Sequence, residues 1–229
     1  MKKVRPAFRL YKGDTKDLIG YQEITMHFIF DVKLGGNFRR KARLVADGHK
    51  TDTPSSVTYN SIVSRDSVRI CLLLAALNDL KILSGDIENA YITAPCREKC
   101  WTIAGKEFGS DQGKPLIIER ALYGLKSSGA AFRAFLAETL DDIGFRSSHA
   151  DPDVWMRPAV KPDGEKYYEY ILCYVDDILC VILEPERPMG DIGKAFKFKK
   201  GLIEKPDIYL GAKLEEKYLN GRNVWTMTS

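Results

Sequence analysis

The chain has 229 residues, 45% of them hydrophobic and 29% charged, with a mean hydropathy of −0.25; this is the balance of a soluble chain that buries a core, not of a disordered or fibrous one. Its longest apolar run, Ile70 to Leu77, falls far short of the roughly 20 residues of a membrane span, and no apolar stretch follows the basic start Met1-Lys2-Lys3-Val4-Arg5, which argues against secretion. The net charge of +4 is uneven: twelve basic against five acidic residues up to Lys50 make that end +7 and the remainder −3, a distribution that suits either a polyanionic partner or a solvated surface.

Residues 1–20 read as an N-terminal extension. From Tyr21 to Val45 a basic hairpin is expected: Phe28, Phe30 and Val32 share one face, Gly35-Gly36-Asn37 supplies a turn, and Phe38 to Val45 resumes. After an irregular stretch from Lys50 to Asn60, Val68, Cys71, Leu72, Ala75 and Ala76 recur at three and four, which predicts a helix from Arg65 to Leu80 capped by Ser64 or Ser67. Lys81 to Asp86 reads as a short strand, as do Trp101 to Ile103 and Leu116 to Ile118, with a loop from Ala104 to Pro115. Phe132, Phe135, Leu136, Leu140 and Ile143 line one side of a helix from Ala130 to Ile143, stopped by Gly144-Phe145. Val154 to Met156 and Tyr168 to Val175 are strands joined through Pro162-Asp163-Gly164 in the irregular Pro158 to Glu165; Ile178 to Leu183 is another, followed by a loop from Glu184 to Gly193. The class is α+β: an antiparallel sheet covered by helices on one face.

Five cysteines are an odd number, and two lie in strand-like apolar runs, the usage of buried thiols in a reducing compartment. The close pair Cys96 and Cys100 lacks a second pair or a nearby histidine, so a zinc site is not expected. His27, His49 and His149 have no ligand spacing among them.

The chemistry concentrates at Tyr174-Val175-Asp176-Asp177-Ile178, where two carboxylates interrupt an apolar run from Ile171 to Leu183. Aspartates also suit hairpin tips for structural reasons. A third acid, Asp86, closes a second apolar strand, and if the two strands pair, three carboxylates converge. Unit charges 4 Å apart repel by about 4 kcal/mol at an effective dielectric near 20, so a cation is required. Hard oxygen donors from few residues, with coordination positions left for phosphate and water, suit Mg²⁺, or Mn²⁺, better than zinc or a closed calcium cage. Two such ions would activate an attacking 3′-oxygen and stabilise a leaving oxygen in phosphoryl transfer.

Tyr-Val-Asp-Asp, the upstream Asp86-Ile87-Glu88-Asn89-Ala90-Tyr91, Leu122-Tyr123-Gly124-Leu125-Lys126, Lys41-Ala42-Arg43-Leu44-Val45-Ala46, Ala150-Asp151-Pro152-Asp153-Val154 and Tyr209-Leu210-Gly211 stand in an order that resembles copia-type retrotransposon reverse transcriptases over about residues 21–215. The resemblance implies a polymerase-like palm with a basic fingers subdomain. Fingers would span about 21–80 and 95–120, palm about 81–94 and 121–215, and residues 216–229 would be a truncated C-terminal segment with the thumb absent or cut short. It also implies a catalytic, metal-binding triad of Asp86, Asp176 and Asp177, with the Ile87 carbonyl near the metal.

By the same resemblance Lys41 and Arg43 would hold the triphosphate, a task for an ammonium and a guanidinium fork, and Tyr91 would exclude a ribose 2′-hydroxyl. Tyr123, Gly124 and Lys126 would lie under the template, Tyr174, Leu210 and Gly211 against template-primer, and Lys199 would protonate the pyrophosphate. Each also has a plainer reading: a core aromatic for Tyr91, a charged strand edge for Lys41 and Arg43, an ordinary turn for Tyr123 to Lys126, a basic turn for Lys199 and an edge strand for Tyr209 to Gly211. Where family members continue with proline and tryptophan after Lys126, this chain has Ser127-Ser128-Gly129-Ala130-Ala131-Phe132.

The function expected is RNA-directed DNA polymerisation from dNTPs on a primed RNA or DNA template, within a polyprotein that also carries integrase and ribonuclease H domains, in the cytoplasm inside virus-like particles with access to the nucleus. The rivals are a nucleic-acid-binding remnant without catalysis and a metal-dependent phosphohydrolase.

Overall fold

The structure, a computed structural model, describes residues 6–33, 38–52, 61–199 and 203–228. The expected turn Gly35-Gly36-Asn37 and most of the Lys50 to Asn60 stretch lie outside the described residues. The chain forms two compact units, Met1–Asn60 with Asn89–Phe135 and Ser61–Glu88 with Leu136–Ser229. In chain order come β1 (Phe8–Leu10), β2 (Gln22–Glu23), β3 (Met26–Lys33) and β4 (Arg39–Ala46) of the first unit, then α1 (Arg65–Asn78) and β5 (Lys81–Asp86) of the second. The first unit resumes with α2 (Ala90–Thr93), β6 (Cys100–Ile103) and β7 (Pro115–Ile118), and α3 (Ser128–Asp142) carries the chain onward. The second unit ends with β8 (Arg146–Ser147), β9 (Val154–Val160), β10 (Lys166–Tyr174), β11 (Asp177–Ile182), α4 (Glu186–Ala195), β12 (Ile208–Tyr209), β13 (Ala212–Leu219) and β14 (Arg222–Thr228). Among the described residues, no helix is long and apolar enough to cross a membrane.

In the first unit, β3 and β4 make the expected hairpin, pairing from Met26 with Ala46 to Lys33 with Arg39. Beside it stands a sheet of order β1-β7-β6-β2, in which only β2 and β6 run parallel. Ile24, Ala46, Cys100, Ile118, Leu122 and Leu125 form its small core.

The second unit is built on an antiparallel sheet of order β5-β11-β10-β9-β8. Alternation sends Ile82, Leu172, Leu179 and Val181 to one face, where Val68, Cys71, Leu72 and Ala75 of α1 meet them together with Tyr209 and Leu214. The other face is covered as well: a side chain at Gly85 would run into Met189 of α4 and the ring of Phe198. Helices on one face alone, as the patterning suggested, are therefore replaced by two covered faces, and β11 is buried from Ile178 to Ile182. Such a strand reads as a continuous apolar run.

Local sequence explains where the elements stop. The Ser64 hydroxyl caps α1 by accepting the Ser67 N–H at 3.0 Å. The helix ends at Asn78, two residues before the expected Leu80, because Asp79 turns left-handed with φ 54° and Leu80 N–H closes on the Ala75 carbonyl. Gly144, at φ 89°, ends α3 as expected. There the Arg157 guanidinium donates to the Ile143 carbonyl at 2.6 Å, pairs with Glu169 across β9 and β10 at 2.6 Å and lies 4.4 Å from the Phe145 ring centre. The stretch Glu184 to Gly193, expected as a loop, is largely helix α4. Its Pro188 falls in the first turn, where the missing N–H has no intrahelical partner to lose, while Met189 and Ile192 are fully buried. Likewise the loop from Ala104 to Pro115 contains a short 3-10 turn, Lys106–Asp111.

Asp151 ties this unit together. Its carboxylate accepts from Ser64 N–H at 2.9 Å, the Ser67 hydroxyl at 2.6 Å and Asp153 N–H at 3.1 Å. Burial raises its pKa, but these hydrogen bonds outweigh burial and set it below the ordinary 3.8. Asp151→Ala is expected to cost about 1–2 kcal/mol in urea unfolding at pH 7. Because the folded-state value is depressed, the parent's advantage is complete above about pH 5 and disappears as the pH falls through that value; a difference independent of pH would refute the assignment.

Candidate active site

Antiparallel pairing of β5 with β11 sets Asp86 directly opposite Asp177. On the far side of β11, Tyr174 pairs with Asp177, so Val175 and Asp176 alone make the turn. The Ile87 N–H donates to the Asp176 carbonyl at 2.8 Å, stitching the turn to the chain just past β5. Three carboxylates expected from separate strand ends are thus brought to one edge of one sheet. Val175, which the alternation assigned to the strand, has φ +54°. A positive φ on a β-branched residue is a true outlier, and two-residue hairpins with one such position favour glycine there.

The segment after α4 closes the site. Phe198 bridges to Ile87, and the Glu88 N–H donates to the Lys197 carbonyl at 2.7 Å. Lys197 pairs with Glu88 through their side chains. Lys199 consequently reaches the carboxylates: its ammonium contacts Asp86 and lies 3.3 Å from Asp176. Gly85 permits this, since a Cβ there would sit 2.7 Å from the Phe198 ring.

The electrostatics are those of crowded acids. Burial, then Asp86 and Asp176, push Asp177 up to about 6 against the pull of Lys199. Burial raises Asp86, with Lys199 lowering it and Asp176 raising it. Burial alone would lower Lys199, but its hydrogen bond to Asp86 and the charge of Asp176 raise it. The Asp86 Oδ1 atom is buried and, although close to the ammonium, has no aligned hydrogen bond. Among the described residues, no three His, Cys, Asp or Glu side chains are gathered as a preformed metal cage; an ammonium stands among these carboxylates instead. An underused carboxylate oxygen in an all-oxygen donor set, with Asp86 and Asp176 each about a third exposed, fits a hard divalent cation that keeps several waters.

The other sequence-singled residues lie in the first unit or on the C-terminal hairpins. Lys41 and Arg43 are on β4, opposite Asp31 and Ile29. The Arg43 guanidinium lies 5.9 Å from the Tyr123 ring centre, and the Tyr123 and Tyr91 rings are 4.7 Å apart, so Arg43, Tyr123 and Tyr91 form one cluster. Tyr91 also meets Phe132 edge-on. Gly124 has φ +92°, and a Cβ there would be 2.0 Å from the Ala46 carbonyl oxygen, so the chain's own packing already requires a glycine at this position. The Lys126 ammonium donates to the Thr51 carbonyl at 2.5 Å. In the second unit, Leu210 and Gly211 form the turn between β12 and β13 with φ 53° and 71°. Asn220-Gly221, the usual pair for such a turn, occupies the next hairpin. Leucine in the first is an outlier, held where the buried Tyr209 hydroxyl donates to the Leu172 carbonyl at 3.1 Å.

Patterning missed Phe198, whose ring positions Lys199, and Asp47, which has no periodic signature. Asp47 accepts from the Thr25 hydroxyl and from Lys50 at 2.9 Å and lies 2.8 Å from His27. The Thr25 and Lys50 hydrogen bonds hold its pKa down at about 2. This network fastens the foot of the hairpin.

Comparison with known proteins points the same way as the motif order. A family model described as reverse transcriptase (RNA-dependent DNA polymerase) matches residues 16–219. The chain is 26% identical over 204 residues to the Retrovirus-related Pol polyprotein from transposon TNT 1-94 of Nicotiana tabacum, covering 83% of this chain and 15% of that protein. It is 30% identical over 152 residues to the Retrovirus-related Pol polyprotein from transposon RE1 of Arabidopsis thaliana, covering 64% and 10%. It is 31% identical over 134 residues to the Transposon Ty1-NL2 Gag-Pol polyprotein of Saccharomyces cerevisiae, covering 56% and 8%. The chain thus spans less than a sixth of the length of these relatives.

The strain at Val175 is open to measurement. Val175→Gly removes a conformational penalty of about 1–3 kcal/mol but loosens the unfolded chain by up to about 1 kcal/mol, so urea unfolding is expected to show unchanged or increased stability. A loss above about 1 kcal/mol would mean that side-chain packing, not backbone strain, governs this position.

Proposed function

Because the chain belongs to the reverse transcriptase (RNA-dependent DNA polymerase) family, and to its copia-type members, we propose that it is the nucleotidyl-transferring part of a retrotransposon Pol polyprotein, extending a primer 3′-hydroxyl with dNTPs on an RNA or DNA template. The observation that carries this reading is the register of β5 on β11, which sets Asp86 against Asp177 beside the Val175-Asp176 turn. Asp86 and Asp176 would hold two Mg²⁺ or Mn²⁺ ions, with Asp177 beside them and the Ile87 carbonyl as a further donor. When bound, the cations would favour the ionised 3′-oxygen and stabilise charge on the departing pyrophosphate.

The remaining work falls to the protein's own side chains. Lys41 and Arg43 bind the triphosphate, the guanidinium as a fork and the ammonium as a point charge. Tyr91 presents a ring edge against a ribose 2′-hydroxyl and so selects deoxynucleotides. Tyr123, Gly124 and Lys126 support the template, while Tyr174 and the Leu210-Gly211 turn hold the primer; the strained turn at Leu210 is the kind of local tension that accompanies such contacts. Lys199 is the proton donor for pyrophosphate. Integrase and ribonuclease H would flank this part in the polyprotein, and the reaction would take place in cytoplasmic virus-like particles.

Primer extension on an RNA template with Mg²⁺ or Mn²⁺ tests the proposal. Losing even an indirect partner of a metal costs roughly 10- to 100-fold, so Asp176→Asn is expected to lower incorporation by more than about 100-fold. Equal extension by parent and variant would sink the polymerase reading. Salt-sensitive primer-template binding without incorporation by either protein would identify a binding remnant instead, and release of free phosphate without elongation would identify a phosphohydrolase.

A further inference from the structure

We propose that Lys199 is a resident counter-cation of the carboxylate cluster, which a divalent cation must displace in order to bind. The inference rests on the metal-site reading above and extends it to the state that precedes loading.

Lys199 does not behave as a solvated turn residue. The chain before it is tied to the strand that ends in Asp86 by the Phe198 to Ile87 bridge, by the Glu88 N–H to Lys197 carbonyl bond at 2.7 Å and by the Lys197 to Glu88 ion pair. The Phe198 ring fills the space over Gly85 that any side chain would occupy. These contacts deliver the ammonium to Asp86 and to within 3.3 Å of Asp176. Two carboxylates on two different elements share this one cation, and a third, Asp177, is paired with Asp86 in the ladder.

A divalent ion on the same oxygens and an ammonium in contact with them repel each other, so the two are alternatives. Displacement is mechanically simple. The Lys199 side chain is 41% exposed, and a lysine carries its charge on a flexible, strongly hydrated stem. The ammonium can turn to water while Phe198 keeps the backbone in place. Lys199 thereby neutralises the acids before loading and remains beside the site afterwards.

Mn²⁺ titration of the whole chain without nucleic acid, followed by electron paramagnetic resonance, separates the alternatives. Vacating the site is expected to make Lys199→Gln bind Mn²⁺ about 3- to 10-fold tighter than the parent. Lys199→Arg should bind no tighter than the parent, and Glu88→Gln, which loosens Lys197, should shift affinity in the same direction as Lys199→Gln by less. In chelator, Lys199→Gln should melt below the parent, and saturating Mn²⁺ should close that gap; a lysine with a merely structural role would leave the gap unchanged. The inference is overturned if Lys199→Gln binds Mn²⁺ no tighter than the parent while Asp176→Asn weakens binding, a result that leaves the metal site standing. If Asp176→Asn binds as the parent does, or none of the proteins binds Mn²⁺, the metal site falls and this inference with it.

Discussion

Like charge held at the end of a buried strand is the constraint around which the second unit is organised. Asp177 begins β11, a strand buried on both faces from Ile178 onward, so it cannot move away from Asp86 without breaking the ladder that holds the sheet together. Burial and mutual repulsion make Asp177 harder to ionise, pushing it up to about 6. The protein answers with a cation from its own chain, and several local features serve to bring it there: the glycine at 85, the ring of Phe198 and the short bridge at Ile87. A structural salt bridge would pair one acid with one base. One base shared between two acids, with a third acid alongside, leaves the cluster short of positive charge.

The first unit follows a different logic, in which the backbone is the crowded component. Gly124 and Gly48 face one another so closely that a Cβ on Gly48 would lie 2.4 Å from the Gly124 carbonyl oxygen. The Ala46 N–H donates to the Tyr123 carbonyl at 2.8 Å, so the end of β4 and the Tyr123-Gly124 segment are fastened directly. Arg43 and Tyr91 are both placed through Tyr123, one by its charge over the ring and the other by ring contact. Asp47, with a threonine, a lysine and a histidine around it, fixes the adjoining corner.

Much of the second unit was legible because its signals are local. The three-and-four spacing of α1, the serine before it, the glycine after α3 and the acids at the ends of apolar runs are each visible within a dozen residues. Which strands pair, and in what register, depends on contacts across more than 90 residues, and the convergence of Asp86 with Asp177 was therefore conditional until the ladder was seen. Proline and glycine concealed α4: Pro188 falls in its first turn, where proline's usual meaning as a helix breaker does not apply, while Gly190 and Gly193 are carried inside the helix, whose Met189 and Ile192 are fully buried. Gly124 carries a demand that its sequence neighbours do not announce: the carbonyl of Ala46, almost 80 residues earlier, leaves no room for a Cβ there. Lys199 could be singled out as basic but not as paired, because nothing near it in sequence announces two carboxylates more than 20 and 110 residues away.

The alternation of strand side chains gives the ladder a further consequence for how such genes drift. Ile82 and Asp86 share one face of β5, so losing or gaining one codon between them would turn one of the two to the opposite face of the sheet. The same change between Lys161 and Glu165, an exposed reversal joining β9 to β10, would only lengthen or shorten a loop. Length polymorphism among copies of this domain should therefore gather at that reversal and be purged from the strand.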